Sequence, residues 1–128
     1  MKFFSINNSL DKNVLGHYPQ TKDINYNCHV WDEPKFVEHF HFVKVDFEPI
    51  TANAILNPKS RQTDLINTNS AMGFSNKLLI SGKLKKIIEK NRKGGIQFFK
   101  SPVIQSKMII DDYWVLNIYE FNNEYYLF

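Results

Sequence analysis

The most informative pattern of apolar and polar positions lies between residues 74 and 99. Residues 78–80 form a short apolar run (LLI), which is typical of a buried strand. The apolar positions after this run recur at a spacing of three to four residues, at Leu84, Ile87 and Ile88. That spacing places their side chains on one face of an amphipathic helix. The pattern therefore predicts a strand followed by a short helix.

The residues that flank this helix carry start and stop signals. Ser81 lies between the strand and the helix, where its hydroxyl can accept a hydrogen bond from a free amide of the first turn. Gly94 and Gly95 are predicted to stop the helix, because glycine enters left-handed backbone conformations without strain. Residues 97–99 (QFF) then resume as a second strand. The segment reads as one strand–helix–strand unit.

A second long apolar pattern covers residues 35–47 and predicts an extended strand. Its alternation changes phase, since Phe36, Phe40 and Phe42 fall on one face and Val43, Val45 and Phe47 on the other. A β-bulge near Phe42 and Val43 explains the switch, and burial on both faces explains it equally well. In the first half of the chain, less regular patterns predict a strand at 2–6, mainly irregular chain at 7–27 and a short helix at 51–56. Residues 59–73, around Leu65 and Ile66, are predicted to be turn-rich. Strands are predicted at 108–110 and 113–121, and a hairpin turn at Asn122 and Asn123 leads to a strand at 124–128.

These elements predict the α+β class: a single domain over residues 1–128, with a mostly antiparallel sheet and one or two short helices. The composition agrees, because 43% hydrophobic and 15% aromatic residues are enough for a packed core. Eleven Phe and six Tyr favour β structure, where flat side chains pack well on a pleated face. No repeat and no domain linker is apparent.

Charge and cysteine usage restrict the setting more than the function. The net charge is +3, and the basic excess lies in the second half of the chain. Cys28 is the single cysteine, so an internal disulfide cannot form, and we expect a reducing, cytoplasmic location. No apolar run approaches the roughly 20 residues that span a bilayer, so no membrane association is expected.

From residue 63 to 121 the order of elements resembles immunity proteins of bacterial polymorphic toxin systems, a family once described only as a domain of unknown function. Five segments carry the resemblance: Asp64, Leu65 and Ile66; Leu79, Ile80 and Ser81; Leu84, Ile87 and Ile88; Gly95, Phe98 and Phe99; and the strand YWVLNI at residues 113–118. The chain ends soon after that strand, where family members are expected to continue, which predicts a short or truncated member.

The resemblance implies a function without catalysis. An immunity protein binds a cognate toxin domain in the cytoplasm and neutralises it by stoichiometric occlusion. It therefore implies a protein partner, no cofactor and no metal. The sequence motifs agree to the extent that no P-loop, dinucleotide fingerprint or paired metal-binding cysteines occur.

Two surfaces are candidates for partner binding. Lys83, Lys86, Lys90 and Lys93 fall along one side of the predicted helix, as a solvated face opposite an apolar stripe also would. If functional, this basic face suits an acidic protein surface or, as the alternative function, the phosphates of a nucleic acid. The second candidate is the loop with Trp31, Asp32 and Glu33, in which the tryptophan either covers the edge of the core, the more common arrangement, or anchors an interface.

Histidine and cysteine positions raise two further hypotheses, and the structural explanation is favoured for both. His39 and His41 share a face of the predicted strand at a spacing that can chelate zinc, although a site needs at least one more ligand. Cys28 lies next to His29, but neighbours in a strand face opposite ways and cannot readily form a nucleophile–base pair. We therefore predict no metal site and no catalytic residue.

Overall fold

The computed structural model describes residues 11–17, 19–40, 42–66 and 77–120. These residues form an α+β domain with two helices and eight strands. In chain order the elements are α1 (Lys12–Leu15), β1 (Thr21–Asn25), a 3-10 helix (Val37–His39), β2 (Asn53–Leu56), β3 (Leu65–Ile66), β4 (Leu78–Ser81), α2 (Gly82–Asn91), β5 (Ile96–Lys100), β6 (Val103–Gln105), β7 (Met108–Ile110) and β8 (Tyr113–Ile118). The predicted fold class is confirmed.

The strands form two four-stranded sheets. The first has the order β1-β2-β6-β7, with β2 and β6 parallel and the other neighbours antiparallel. The second has the order β3-β4-β8-β5 and is antiparallel throughout. The second sheet holds the strand–helix–strand unit that the sequence predicts, with β8 inserted between its two strands. Within the described part of the chain, β5 pairs on one side only.

Alternation along β8 defines the layers. Tyr113 and Val115 face the larger core, which residues of both sheets share. Trp114, Leu116 and Ile118 face the opposite way, into a smaller core against α2. Because successive strand residues point to opposite faces, one strand supplies both cores. The second sheet therefore has the first sheet on one face and α2 on the other.

Helix α2 starts as the sequence predicts. The Ser81 hydroxyl accepts a hydrogen bond from the Leu84 amide (3.1 Å) and donates one to Asp64 Oδ1 (2.6 Å), which joins the cap to the segment before β3. The buried face differs in part, since Ile88 is 2% exposed but Ile87 is 49% exposed. The helix also ends earlier than expected, at Asn91, with the next residue already extended.

Gly95 has a different role from the predicted helix stop. Its φ of +76° is a conformation that side chains disfavour, and a Cβ there would lie 2.7 Å from Glu120 Cβ. Its carbonyl accepts a hydrogen bond from the Tyr119 amide (2.9 Å). The glycine therefore lets the chain turn into β5 beside the end of β8.

The prediction of a long strand at residues 35–47 is wrong. Phe36 forms only an isolated bridge with Ile50, and the chain then turns into the 3-10 helix. Phe42 has a φ of +57°, and Phe42 and Val43 are 58% and 48% exposed, so the change of phase marks a departure from extended structure instead of a bulge. The segment buries Phe36 and Val37 without joining a sheet.

Other local predictions divide between confirmed and wrong. The strands at 78–80, 97–99, 108–110 and 113–121 are confirmed as β4, β5, β7 and β8, the last as far as Ile118. The prediction of a helix at 51–56 is wrong, because β2 occupies that position. Residues 7–27 were predicted to be mainly irregular, but they contain α1 and β1. Strand β6 was not predicted. The predicted strand at 2–6, the hairpin turn at Asn122 and Asn123, and the strand at 124–128 lie outside the described residues.

Candidate functional site

Trp31 projects from a short hydrogen-bonded turn. The carbonyl of His29 accepts hydrogen bonds from the amides of Asp32 (2.9 Å) and Glu33 (3.0 Å). Trp31 lies within the turn that these bonds close, and 93% of its surface is exposed. The carboxylate of Glu33 accepts a hydrogen bond from the Lys35 amide (3.1 Å), which closes the turn. The expectation that Trp31 covers the core edge is therefore wrong. The ring is presented to solvent on a locally ordered turn.

A second turn contact fixes this projection to the body of the domain. His39, at the end of the 3-10 helix, forms a hydrogen bond through Nε2 with the carbonyl of Val30 (2.7 Å). The imidazole also lies edge-on to the ring of Phe36, which is 1% exposed. The residue before Trp31 is thus bonded to a side chain that contacts the core. Asp32 is exposed beside the tryptophan.

Three of the four lysines predicted for the basic face of α2 lie on that face, and the fourth, Lys93, does not. Lys83, Lys86 and Lys90 are exposed and surround the exposed Ile87 at helical spacing. In the part of the chain that the structure describes, none of the three has a carboxylate within 4.0 Å. Lys93 lies beyond the end of the helix and lines a groove instead. The basic face and the Trp31 turn lie on different elements.

The groove has a volume of about 800 Å³. We call it the β5 groove, because it follows that strand between α2 and the segment before β2. Its lining residues are Val45, Asp46, Phe47, Glu48, Lys85, Glu89, Arg92, Lys93, Ile96, Gln97, Phe98, Phe99 and Trp114. The groove is not apparent from the sequence, because its two walls come from segments about forty residues apart in the chain.

Lys85 organises the helix wall of the β5 groove. Its ammonium group lies 4.6 Å from the centre of the Trp114 ring and 5.1 Å from that of Phe98, and it forms an ion pair with Glu89 (3.0 Å). Such cation–π contacts contribute about 0.5–1 kcal/mol each at exposed sites. Trp114 packs against the smaller core, and its ring also forms part of this wall.

The opposite wall is held in place by a polar contact across the groove floor. Gln97 accepts a hydrogen bond from the Val45 amide (2.9 Å) and donates one to the Val45 carbonyl (2.6 Å). Asn117, which is 1% exposed, donates to the Val43 carbonyl (3.0 Å) and to Gln97 Oε1 (3.1 Å). Two amide side chains of the second sheet thus fix the segment that carries Asp46 and Glu48.

The histidine and cysteine positions do not assemble a reactive or metal-binding cluster within the described ranges. His39 lies on the 3-10 helix and not on a strand, which removes the geometry predicted for His39 and His41; His41 itself lies outside these ranges. No group of three or more His, Cys, Asp or Glu side chains suited to a metal ion occurs in them. Burial raises the pKa of the Cys28 thiol, and the charge of Glu33 raises it further, so the thiol form is favoured.

Glu38 and Lys77 form a partly buried pair that the sequence did not indicate. Lys77 is 7% exposed, and its ammonium group donates a hydrogen bond to the Phe40 carbonyl. Glu38 Oε1 is buried and has no hydrogen-bond partner among the described residues. Burial raises the pKa of Glu38 and lowers that of Lys77, and in each case the charge of the other residue partly opposes the shift. Neither charge is fully compensated.

This pair predicts a pH dependence of stability. The folded state binds the Glu38 proton more tightly than the unfolded chain, so this carboxyl lowers stability as pH rises from below 4.5 through its raised pKa. We expect Glu38→Gln to lack this loss. The free energy of unfolding of the variant, relative to wild type, should therefore increase with pH over the acid range, as measured by urea unfolding at a series of pH values.

The control for this prediction is Glu48→Gln, which changes an exposed carboxyl. A difference between the Glu38→Gln variant and wild type that stays constant with pH, or one that the control reproduces, contradicts the assignment. At alkaline pH the sign reverses for Lys77: its lowered pKa means that folding gains stability as pH rises toward 10.5.

Comparison of the chain with protein-family models, with curated proteins and with solved structures gave no significant match. The resemblance over residues 63–121 therefore stays a prediction. Within residues 11–17, 19–40, 42–66 and 77–120, none of the helices has the length and apolar character needed to cross a membrane.

Proposed function

We propose that this chain is a cytoplasmic immunity protein that binds a cognate bacterial toxin domain stoichiometrically and occludes it, without catalysis. The observation that carries the proposal is Trp31, which is 93% exposed at the apex of a hydrogen-bonded turn. A large aromatic side chain that the fold leaves in water is a strong candidate for an interface anchor, because tryptophan is enriched among the residues that dominate binding energy.

The available energy is large enough for this role. A tryptophan buries about 150–250 Å² in a core or interface. At about 25 cal/mol per Å², that area corresponds to a gain on the order of 4–6 kcal/mol before the costs of association. The hydrogen bonds to the His29 carbonyl reduce those costs, because the turn is ordered before the partner arrives.

The neighbours of Trp31 indicate the character of the partner surface. Asp32 is exposed, and Glu33 is partly exposed at the same turn. Their negative charges favour a basic partner surface around a hydrophobic pocket for the indole ring. Such complementarity raises the association rate and disfavours wrong partners more than it adds affinity. A basic toxin surface covered in this way would be closed to its own substrate.

The proposal is tested with the genomic neighbour of this chain. A secreted protein with a toxin-like C-terminal domain, encoded immediately upstream, should co-purify with the chain at a one-to-one ratio. Co-expression should restore growth to cells that express that toxin domain. If the full chain neither binds the domain nor restores growth, the immunity function is wrong.

The basic face of α2 supports a second candidate function, nucleic-acid binding. Lys83, Lys86 and Lys90 are exposed and lack ion-pair partners in the described part of the chain. If about three phosphates of a duplex are neutralised, a plot of the logarithm of the affinity against the logarithm of the salt concentration should have a slope of about −2.7. Titration of an unrelated duplex at several salt concentrations separates this function from toxin binding, because no such sequence-independent binding is expected of an immunity protein.

A further inference from the structure

We infer that the edge of β5 at Ile96 and Phe98, which is unpaired among the described residues, binds an extended segment of a partner protein, which adds to the second sheet as a further strand in the β5 groove. The inference concerns a surface that the proposed function does not use, and it stands whether or not the chain is an immunity protein. It depends on the hydrogen-bond directions of β5, the position of the groove and the charges of its two walls.

The hydrogen bonds that flank β5 show which of its backbone groups point outward. The Tyr119 amide donates to the Gly95 carbonyl, and the Ser101 amide donates to the Tyr113 carbonyl. In an antiparallel pair such bonds occur at every second residue, so odd-numbered positions of β5 bond to β8 and even-numbered positions face away. The contact of the Thr51 hydroxyl with the Lys100 carbonyl (2.7 Å) agrees, since it comes from the side opposite β8.

The backbone groups of Ile96 and Phe98 therefore point away from β8. Among the described residues, no hydrogen bond reaches the outward amide or carbonyl of either one. Unpaired groups of this kind along a strand edge are a template for pairing with another strand. At these residues the edge opens into the β5 groove.

The lining of the groove shows that it meets β5 at its edge. Four consecutive residues of the strand, Ile96 to Phe99, contribute to the lining. Successive side chains of a strand point to opposite faces, so a concavity over one face would touch every second residue only. A concavity touched by four residues in a row reaches the edge of the strand, and its contact with Trp114 shows that it also extends over the face toward α2. This is the position that an added strand occupies.

The two walls of the groove carry opposite charge. Lys85 and Lys93 lie on the α2 side, where Glu89 balances one of them. Asp46 and Glu48 lie on the other side and are exposed. Lys93, Asp46 and Glu48 have no ion-pair partner within the described ranges. An occupant can therefore form new ion pairs with both walls.

This arrangement specifies the occupant. Alternate side chains of an added strand point toward opposite walls. The segment that fits best carries acidic side chains on the face toward α2 and basic side chains on the face toward Asp46 and Glu48. Main-chain hydrogen bonds to β5 supply the affinity, and the alternation of charge supplies the register, as in strand addition to other sheet edges.

The inference is tested with a designed probe, an acetylated and amidated eight-residue peptide of sequence Glu-Lys-Val-Thr-Glu-Lys-Val-Thr. Its acidic and basic side chains alternate between faces, and its net charge is zero, so a nonspecific attraction to the basic chain is not expected. Fluorescence anisotropy of the labelled peptide with the full chain should show saturable binding with a Kd of about 1 mM or tighter.

Backbone pairing is tested with two further peptides of this sequence, one N-methylated at the odd-numbered amides and one at the even-numbered amides. Alternate amides point to opposite strand edges, so each peptide loses the donors of one edge. We expect one of them to bind at least about tenfold more weakly and the other to bind within about twofold of the parent. Equal affinities of both methylated peptides and the parent would overturn the inference.

Charge variants of the protein test the position. Lys93→Glu and Glu48→Lys should each weaken the parent peptide about two- to fivefold, the effect of one exposed ion pair. The matched control is Lys22→Glu, an exposed lysine on β1, which should leave the affinity unchanged. Absence of saturable binding overturns the inference, as does an equal effect of the control. Concentration-dependent dimerisation that Lys93→Glu abolishes would assign the edge to a second copy of the chain instead, and that outcome also overturns it.

Discussion

Replacing Trp31 by alanine is expected to weaken binding of the toxin domain by about 2–4 kcal/mol, roughly 30- to 1000-fold, without destabilising the chain. The side chain is 93% exposed, so truncation removes almost no folded-state contact. The free energy of unfolding should change by less than about 0.5 kcal/mol. Isothermal titration calorimetry against the purified toxin domain measures the first quantity, and urea unfolding measures the second.

The control for Trp31 is Met108→Ala, which removes another exposed apolar side chain. Met108 is 70% exposed and lies on β7, at an edge of the first sheet. It is expected to leave toxin affinity within about twofold. If both variants weaken binding equally, the effect is a general loss of apolar surface, and Trp31 is not the anchor. If Trp31→Ala binds as wild type does, the proposed contact surface is wrong even where the immunity function itself holds.

Replacing Asn117 by alanine is expected to lower the free energy of unfolding by about 2–3 kcal/mol. Asn117 is 1% exposed, and it donates hydrogen bonds to the Val43 carbonyl and to Gln97 Oε1. Its loss leaves these acceptors with one donor fewer and creates a small cavity in the larger core. Urea unfolding at neutral pH measures the change.

The consequence for the β5 groove gives this prediction a second measurement. Gln97 holds both the amide and the carbonyl of Val45, and Asn117 orients the Gln97 side chain. Hydrogen exchange at the Val45 amide should therefore accelerate in Asn117→Ala more than exchange in α2 does. A double-mutant cycle with Gln97→Ala should give a coupling energy of about 0.5–3 kcal/mol.

Asn91→Ala is the matched control for Asn117. Asn91 is exposed on α2 and donates a hydrogen bond to the Ile87 carbonyl (2.8 Å) within its own helix. Its replacement should change the free energy of unfolding by no more than about 0.5 kcal/mol. Equal destabilisation by both variants, or an Asn117→Ala variant as stable as wild type, contradicts the role of this buried network.

Predictions from sequence succeeded where neighbouring residues alone determine the structure. The unit of β4, α2 and β5 has a compact apolar run and a capping serine at Ser81. Each of these signals acts within about one helical turn. The strand at 113–118 was also predicted, because its apolar residues are numerous enough to serve two cores. These elements contain both the basic face of α2 and the edge strand of the groove.

Predictions failed where the partner of a segment decides its conformation. Residues 51–56 include alanines that favour a helix, but Ala52, Ala54 and Leu56 are buried on alternate positions because β2 lies between β1 and β6. Hairpin β6–β7 turns through Ser106 and Lys107, both with positive φ, without the Asn-Gly or Asp-Gly pair that usually marks such a turn. Residues 35–47 alternate as a strand would, yet the bridge between Phe36 and Ile50 is isolated.

The amino-acid sequence by itself determined the fold class, the strand–helix–strand unit and the lysines on the outer face of α2, because hydrophobic period and capping are local properties. Tertiary structure alone decided that Trp31 is exposed to solvent, that Lys93 lines the groove with Asp46 and Glu48, and that the charges of Glu38 and Lys77 influence each other at partly buried positions. Exposure and juxtaposition depend on which distant segments pack together. Burial of apolar surface drives that packing, and the buried surface depends on residues from the whole chain.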